Sequence, residues 1–366
     1  MPEANKKTLA KTTKADQDAA SKALKILDEG APANGDGFLG VDYPISLAKL
    51  VLLPAPWDAT TSYGQGASLG PDAILKASHQ IDAFDLTYGK PYQDGIAWDD
   101  SLVAELESLN KKARLDVSHV RKAAEGSSSA SKASEKSLHA VQLASEKVNE
   151  LVYLKAKEHL DKGRKVAVVG GDHSCPLGLM KALNDRYKEF GILHIDAHFD
   201  LRVAYEGFQY SHASIMYNAL QECSSIVRLV PVGIRDFSAA EFKVATRQGS
   251  KVRSYFDQDL SKLFAQGITF QDVTDQVIRE LPEHVYISFD IDGLDPSYCP
   301  STGTPVPGGL SYAQACYLLE SLVDSKRHII GFDLSEVAPD PSGNSEWDAN
   351  VGARLCYKMC GAMLRS

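Results

Sequence analysis

The sequence predicts a three-layer α/β/α fold around a central, mainly parallel sheet, and three observations predict it. From Lys165 onward, short apolar runs alternate with stretches of helical periodicity, the pattern of strands joined by right-handed helical crossovers. No internal repeat and no second domain interrupts that alternation. Histidines and aspartates gather at the C-terminal ends of the apolar runs, which is where sites form in open α/β sheets.

Taken in order, residues 1–35 are polar and alanine-rich and end in Gly30-Ala31-Pro32-Ala33-Asn34-Gly35, a loop composition. They read as a partly ordered N-terminal extension ahead of one α/β domain over 36–366. Leu50-Val51-Leu52-Leu53 reads as the first core strand, stopped by Pro54. The polar and aromatic stretch Trp57–Gly66 reads as a loop, and Gly70-Pro71 opens a helix that runs through Ser78. Residues 100–162 read as a helical insert, two helices around a serine-rich hinge at Glu125–Ser131. Its second helix carries Leu138, Val141, Leu143, Ala144, Val148, Leu151 and Leu154, with i, i+3/i+4 apolar spacing. Strands then fall at 166–169, 191–196, 226–233, 251–255, 284–290 and 328–335. The intervening helices fall at 176–188, 212–222, 238–248, 269–279 and 311–323, and a helix at 345–363 closes the chain.

Composition excludes several classes. A net charge of −9 argues against nucleic-acid binding, because a phosphate backbone demands a basic surface. No apolar run approaches the ~20 residues that span a bilayer, and the lysine-bearing N-terminus lacks the apolar core of a secretory signal. The six cysteines, dispersed and without a Cys-x-x-Cys pair, read as reduced thiols of a cytoplasmic protein. Cys175, two residues from His173, is either close to a metal or a small buried hydrophobe.

The run Ile192-Leu193-His194-Ile195-Asp196-Ala197-His198-Phe199-Asp200 organises the rest. On an extended chain Asp196, His198 and Asp200 share one face, with Asp200 just past the strand end. Two carboxylates and an imidazole are costly to bury unless something compensates, and a divalent ion is the usual compensator. Val285–Asp292 repeats the logic with Asp290 and Asp292, and Val166–Ser174 turns at paired glycines to present His173. The six ligands His173, Asp196, His198, Asp200, Asp290 and Asp292 exceed what one catalytic zinc needs and suit two ions sharing carboxylates. Oxygen-rich ligation with imidazole and no thiolate favours Mn²⁺, with Ni²⁺ an alternative. By strand parity His194 shares that face one step deeper, so it either supports the ligands or is an ordinary core histidine.

These segments resemble the ureohydrolases, the arginase/agmatinase/formiminoglutamase family. Gly170-Gly171-Asp172-His173-Ser174, Asp196-Ala197-His198-Phe199-Asp200 and Ser288-Phe289-Asp290-Ile291-Asp292-Gly293 look like its three metal motifs, in order. Gly303-Thr304-Pro305-Val306-Pro307-Gly308-Gly309 and Gly331-Phe332-Asp333-Leu334-Ser335-Glu336-Val337 extend the match. The resemblance implies an arginase-like fold, two divalent ions, hydrolysis of a linear amidine-type C–N bond in a small molecule, and a homo-oligomer, trimer or hexamer. It implies Asp200 as a bridging carboxylate that orients the nucleophile, His212 as the acid/base with Ser211 beside it at the substrate, and Glu336 as the partner of a cationic guanidinium or formimino group. It also puts the Trp57–Gly66 loop at the pocket rim.

For the substrate, Asp-Ala-His-Phe-Asp-Leu-Arg looks most like formiminoglutamases, which points to N-formimino-L-glutamate giving glutamate and formamide. Arg202 or Arg235 would then read the substrate carboxylate, although Arg202 is equally a structural ion-pair partner. Tyr210-Ser211-His212-Ala213-Ser214 departs from the Ser-His-Gly form common in agmatinases, and the Asn-rich stretch of arginases is missing. The alternatives are a guanidino-substrate hydrolase releasing urea and a catalytically silent regulatory member of the family.

Overall fold

The strands of the sheet are β1 (Leu50–Ala55), β2 (Ile96–Trp98), β3 (Lys165–Gly170), β4 (Phe190–Ile195), β5 (Ile226–Ile234), β6 (Tyr255–Phe256), β7 (His284–Asp290) and β8 (His328–Ser335). They run in the order β2-β1-β3-β8-β7-β4-β5-β6, and every pairing is parallel. The structure is a computed structural model and describes residues 13–31, 33–125 and 132–366.

A strand covered on both faces must be apolar on both, and the cores show it. In β3, Ala167 and Val169 enter one core while Val166 and Val168 enter the other. In β4, Leu193 and Ile195 enter the first and Phe190 and Ile192 the second. Burying each of the Val, Leu, Ile and Phe side chains is worth roughly 1.5–3 kcal/mol against exposure. Helix α6 (Ile215–Glu222), which follows β4, packs in the second core, whereas α10 (Tyr312–Asp324), which follows β7, packs in the first. The chain therefore winds in opposite directions from adjacent strands β7 and β4. That reversal opens a crevice beyond their C-terminal ends, the position where α/β sheets bind ligands.

The expected architecture is borne out, with local differences. Ile96–Trp98 was not foreseen as a strand, because three residues carry too little periodicity. The strand expected at 251–255 is displaced to Tyr255–Phe256, sharing only Tyr255, and the helix expected at 176–188 ends at Asn184. Helix Asp257–Ala265 also went unforeseen, since it abuts a second helix (Phe270–Glu280) with only a short link through Gly267. The N-terminal segment forms α1 (Lys14–Glu29), started by a Thr13/Asp16 capping box and stopped by Gly30 at φ 60°. It is docked: Ala23 is buried, and Asp28 accepts from Lys90 Nζ and Tyr92 OH, each at 2.7 Å.

The insert forms two long helices, α3 (Val103–Glu125) and α4 (Lys132–Asp161), packed on each other. The hinge expected at Glu125–Ser131 lies, from residue 126 on, outside the described residues. No helix among the described residues is long and apolar enough to cross a membrane.

Candidate metal centre

Three strand ends build the centre. After β3 the chain passes under the loop that follows β1: a Cβ on Gly171 would lie 1.9 Å from the Trp57 carbonyl oxygen, so only glycine fits. The turn that follows presents His173. Asp196, His198 and Asp200 all stand just beyond β4, which ends at Ile195, rather than on the strand itself. A parallel bridge ties His198 to Asp236. The Asp196 carboxylate accepts from the His198 N–H at 2.6 Å across a bend at Ala197, and Asp200 has φ 54°, so turns beyond the strand bring the three together. After β7, the Asp290 carboxylate accepts from the Asp292 N–H at 2.9 Å and turns the chain so that Asp292 faces inward.

All six sequence-nominated ligands converge. His173 Nδ1 faces Asp196 Oδ2 at 3.1 Å, Asp200 Oδ2 at 3.0 Å and Asp290 Oδ2 at 3.4 Å. His198 Nδ1 faces Asp196 Oδ1 at 3.5 Å and Asp292 Oδ2 at 3.1 Å. The potential ligand atoms form two groups, His173-His194-Asp196-Asp200 and Asp196-His198-Asp292, which share Asp196. Asp200, nominated as the bridging carboxylate, lies on the His173 side; Asp196 is the one common to both groups because its two oxygens point opposite ways. His194 supports it, with Nε2 2.8 Å from Asp196 Oδ2.

The chemistry of the donor set fits divalent ions. Tyr286 OH, Ser288 Oγ and Ser335 Oγ all donate to the buried Asp333 carboxylate, at 2.7, 2.8 and 3.0 Å. With its own hydrogen committed, Ser288 Oγ accepts from His173 Nε2 at 2.8 Å. His173 Nδ1 is thus a buried lone pair without a hydrogen-bond partner, converging with three carboxylate oxygens. A cation between them is what such a set lacks. The protonation tendencies agree. Burial, then Asp196, pushes Asp200 up to about 6, and burial, then Asp292 and Asp196, raises Asp290 well above the usual carboxylate range. Burial opposes charge on the rings, yet the facing carboxylates raise His173 well above its ordinary value and His198 to about 12. The cluster is short of positive charge. Replacing Ser288 by alanine, which removes the 2.8 Å acceptor of the His173 Nε2 hydrogen and leaves only the 3.5 Å approach to Asp333, should weaken metal affinity about 10–100-fold, as measured by competition with a chelator, while the fold is retained.

A cavity of about 140 Å³ opens over this cluster, with His173, His198, Asp200, Asp290, His212 and Glu336 in its wall. Glu336 sits at φ 63° and Asp200 at φ 54°, left-handed backbone that is costly for non-glycine residues and is typical of sites over-determined by their surroundings. Glu336 Oε1 accepts from the His173 N–H at 3.0 Å. Burial, then the charges of Asp290 and Asp172, raises the Glu336 carboxyl well above its ordinary range. His212 lies with Nε2 3.5 Å from Ser62 Oγ and Nδ1 3.3 Å from Ser211 Oγ. Burial first, then the rings of His198 and His173, pushes His212 down to about 3, so it is neutral near pH 7.

Other nominations fall elsewhere. Ser211 caps the turn at His212–Ser214, accepting from Ala213 N–H, and so supports His212 rather than facing substrate. Arg235 is not in the cavity wall; its guanidinium donates to the carbonyls of Gly233, Asp292, Leu294 and Val306, which leaves it bracing the loops behind the metal ligands. Arg202 is in the wall, but its Nε lies 3.5 Å from Glu241 Oε2 and its guanidinium stacks 4.6 Å from the Tyr205 ring centroid. Cys175 is buried against the carbonyls of Ala55 and Trp57, away from the cluster. Sequence reasoning missed Tyr205, Asp236, Phe237 and Glu241 in the wall, since nothing in their types distinguishes them from solvated loop residues. Thr304, which donates to Asp292 Oδ2 at 3.2 Å, carried a signal in the Gly303-Thr304-Pro305 stretch.

A family model described as the arginase family matches residues 48–361. The chain is 33% identical over 320 residues to the N(1)-aminopropylagmatine ureohydrolase of Thermus thermophilus, covering 87% of this chain and 92% of that protein. It is 28% identical over 318 residues to the agmatinase of Pyrococcus horikoshii, covering 87% and 93%. The crystal structure of the agmatine ureohydrolase of Thermoplasma volcanium superposes with a TM-score of 0.65 at 25% identity, covering 88% of this chain and 92% of that one.

Proposed function

The chain belongs to the arginase family, and on that premise we propose that it is a two-metal ureohydrolase acting on a cationic guanidino substrate of the agmatine type. The family makes it a hydrolase of non-peptide C–N bonds in amidine-type small molecules. The observation that carries the agmatine-type substrate is the charge of the rim. Beyond the metal cluster and Glu336, the cavity wall holds the carboxylates Asp236 and Glu241 and the arginine Arg202. Arg202 is paired with Glu241, which also caps a helix through Ser238, so Asp236 is the uncompensated charge. Such a rim suits a substrate whose far end is an ammonium. The formiminoglutamate reading asked for a free arginine at a substrate carboxylate, and both nominated arginines are engaged elsewhere. The relatives named for aminopropylagmatine and agmatine also favour the guanidino alternative.

His173, Asp200 and Asp290 with Asp196 would hold one ion, and His198 and Asp292 with Asp196 the other; manganese suits this oxygen-rich set. When bound, the two ions supply a water acidified enough to act as nucleophile near neutral pH. Asp200 orients that nucleophile from the His173 side. Glu336 holds the guanidinium by a charge-assisted pair within the buried wall. His212, kept neutral, has one nitrogen bearing a proton and one free to accept, and so can relay a proton to the departing amine.

A substrate panel with urea and formamide scored separately tests this. Agmatine and aminopropylagmatine should release urea fastest. 4-Guanidinobutyrate, which would bring a carboxylate against Asp236, should lose about tenfold in kcat/KM, because a like-charge juxtaposition is unfavourable. Formamide from formiminoglutamate as the dominant product would overturn the substrate assignment and leave the metal centre intact.

A further inference from the structure

His212 stands between two rim loops, and both are tied to the same side chain of the helical insert. Arg121, on α3, donates from Nη2 to the carbonyls of Thr60 and Thr61, at 3.3 and 2.9 Å, and from Nε to Glu206 Oε2 at 2.7 Å. The first loop continues into Ser62, whose Oγ lies 3.5 Å from His212 Nε2. The second is a tight turn, Tyr205-Glu206-Gly207-Phe208, closed by backbone hydrogen bonds in both directions between Tyr205 and Phe208. Its two central residues have φ 52° and 89°, the twist a two-residue reversal requires. One end of the turn is anchored by Phe208, buried with Val117 and Val141 between α3 and α4. Its other end sets the Tyr205 ring edge-on against the His212 imidazole, centroids 5.8 Å apart.

We infer that Arg121 is a positioning residue for the proton relay: the insert grips both loops through one guanidinium and so fixes the imidazole between Ser62 and Tyr205. The fork geometry matters, because only a planar guanidinium reaches a carboxylate and two carbonyls in different directions at once. Arg121 itself is not in the cavity wall and touches no reacting atom. The inference rests on the role given to His212 above.

A double-mutant cycle on agmatine turnover, with bound metal quantified in every variant, tests it. His212→Asn alone should lower kcat about a hundredfold or more; normal turnover there sinks the role of His212 and this inference with it. Arg121→Ala should lower kcat about ten- to a hundredfold, the cost of displacing a catalytic group by about an ångström, with metal content unchanged and KM moved little. Arg121→Lys should recover part of the loss. In the His212→Asn background, Arg121→Ala should change kcat less than about twofold, because the group it positions is gone. If His212→Asn is slow but Arg121→Ala turns over normally, or if Arg121→Ala costs the same factor in both backgrounds, the inference is overturned while the proposed function stands. Should Arg121→Ala not yield folded protein, Glu206→Gln carries the same cycle with one arm cut, and normal kcat in that variant overturns the inference.

Discussion

Asp196→Ala should empty both ion positions at once. Asp196 is the residue common to both ligand groups, with Oδ2 toward His173 and Oδ1 toward His198. Its substitution removes a ligand from each position and leaves His194 without its 2.8 Å partner. Loss of the charge stabilisation that metal ions provide at the reacting carbon is worth several kcal/mol, and about 4 kcal/mol corresponds to a thousandfold in rate. Metal analysis should fall from two ions per chain toward none, and urea release should fall about a thousandfold or more. Asp200→Ala, by contrast, touches only the His173 side and should retain one ion. A variant at Asp196 that keeps two ions would contradict the sharing.

Glu336→Gln is the second large effect, and it should separate substrate binding from metal binding. The glutamate is buried, held at φ 63°, and faces the charges of two other carboxylates, Asp290 and Asp172. Glutamine keeps the shape and the hydrogen bond from His173 N–H but loses the charge that would meet a guanidinium. Truncating one side of a buried charge pair costs about 2–5 kcal/mol, so kcat/KM should fall roughly 30- to several-thousandfold by the same scale. Metal content should stay at two. If both ions were lost instead, Glu336 would belong to the metal centre rather than to substrate.

The legible and illegible parts of this site differ for a physical reason. The ligands could be read because their residue types are expensive to bury and stand at the close of strand-like runs. Period-two spacing grouped Asp196, His198 and Asp200, although it is the bend at Ala197 and the left-handed Asp200 beyond the strand that bring them together. The Asp333–Ser288–His173 relay was hidden. It depends on register, with Ser288 directly opposite Asp333 across β7 and β8, and serine and aspartate in themselves signal nothing. The arginines were misjudged for a similar reason. Whether Arg202 or Arg235 faces substrate depends on what the loops offer it, and Arg235 is taken up by carbonyls of segments distant in sequence. In the fold, the long apolar strands carried their own signal, while β2 and β6 are too short to show a period. The winding that creates the crevice follows from the order of strand insertion, which periodicity does not encode.

The most direct test of the central claim is a Mn²⁺ titration of metal-free protein, following urea release from agmatine against ions bound. Two ions sharing Asp196 predict that turnover rises only as the second equivalent binds and is then complete. Full turnover at one equivalent, or two bound ions with no urea at any concentration, would contradict it.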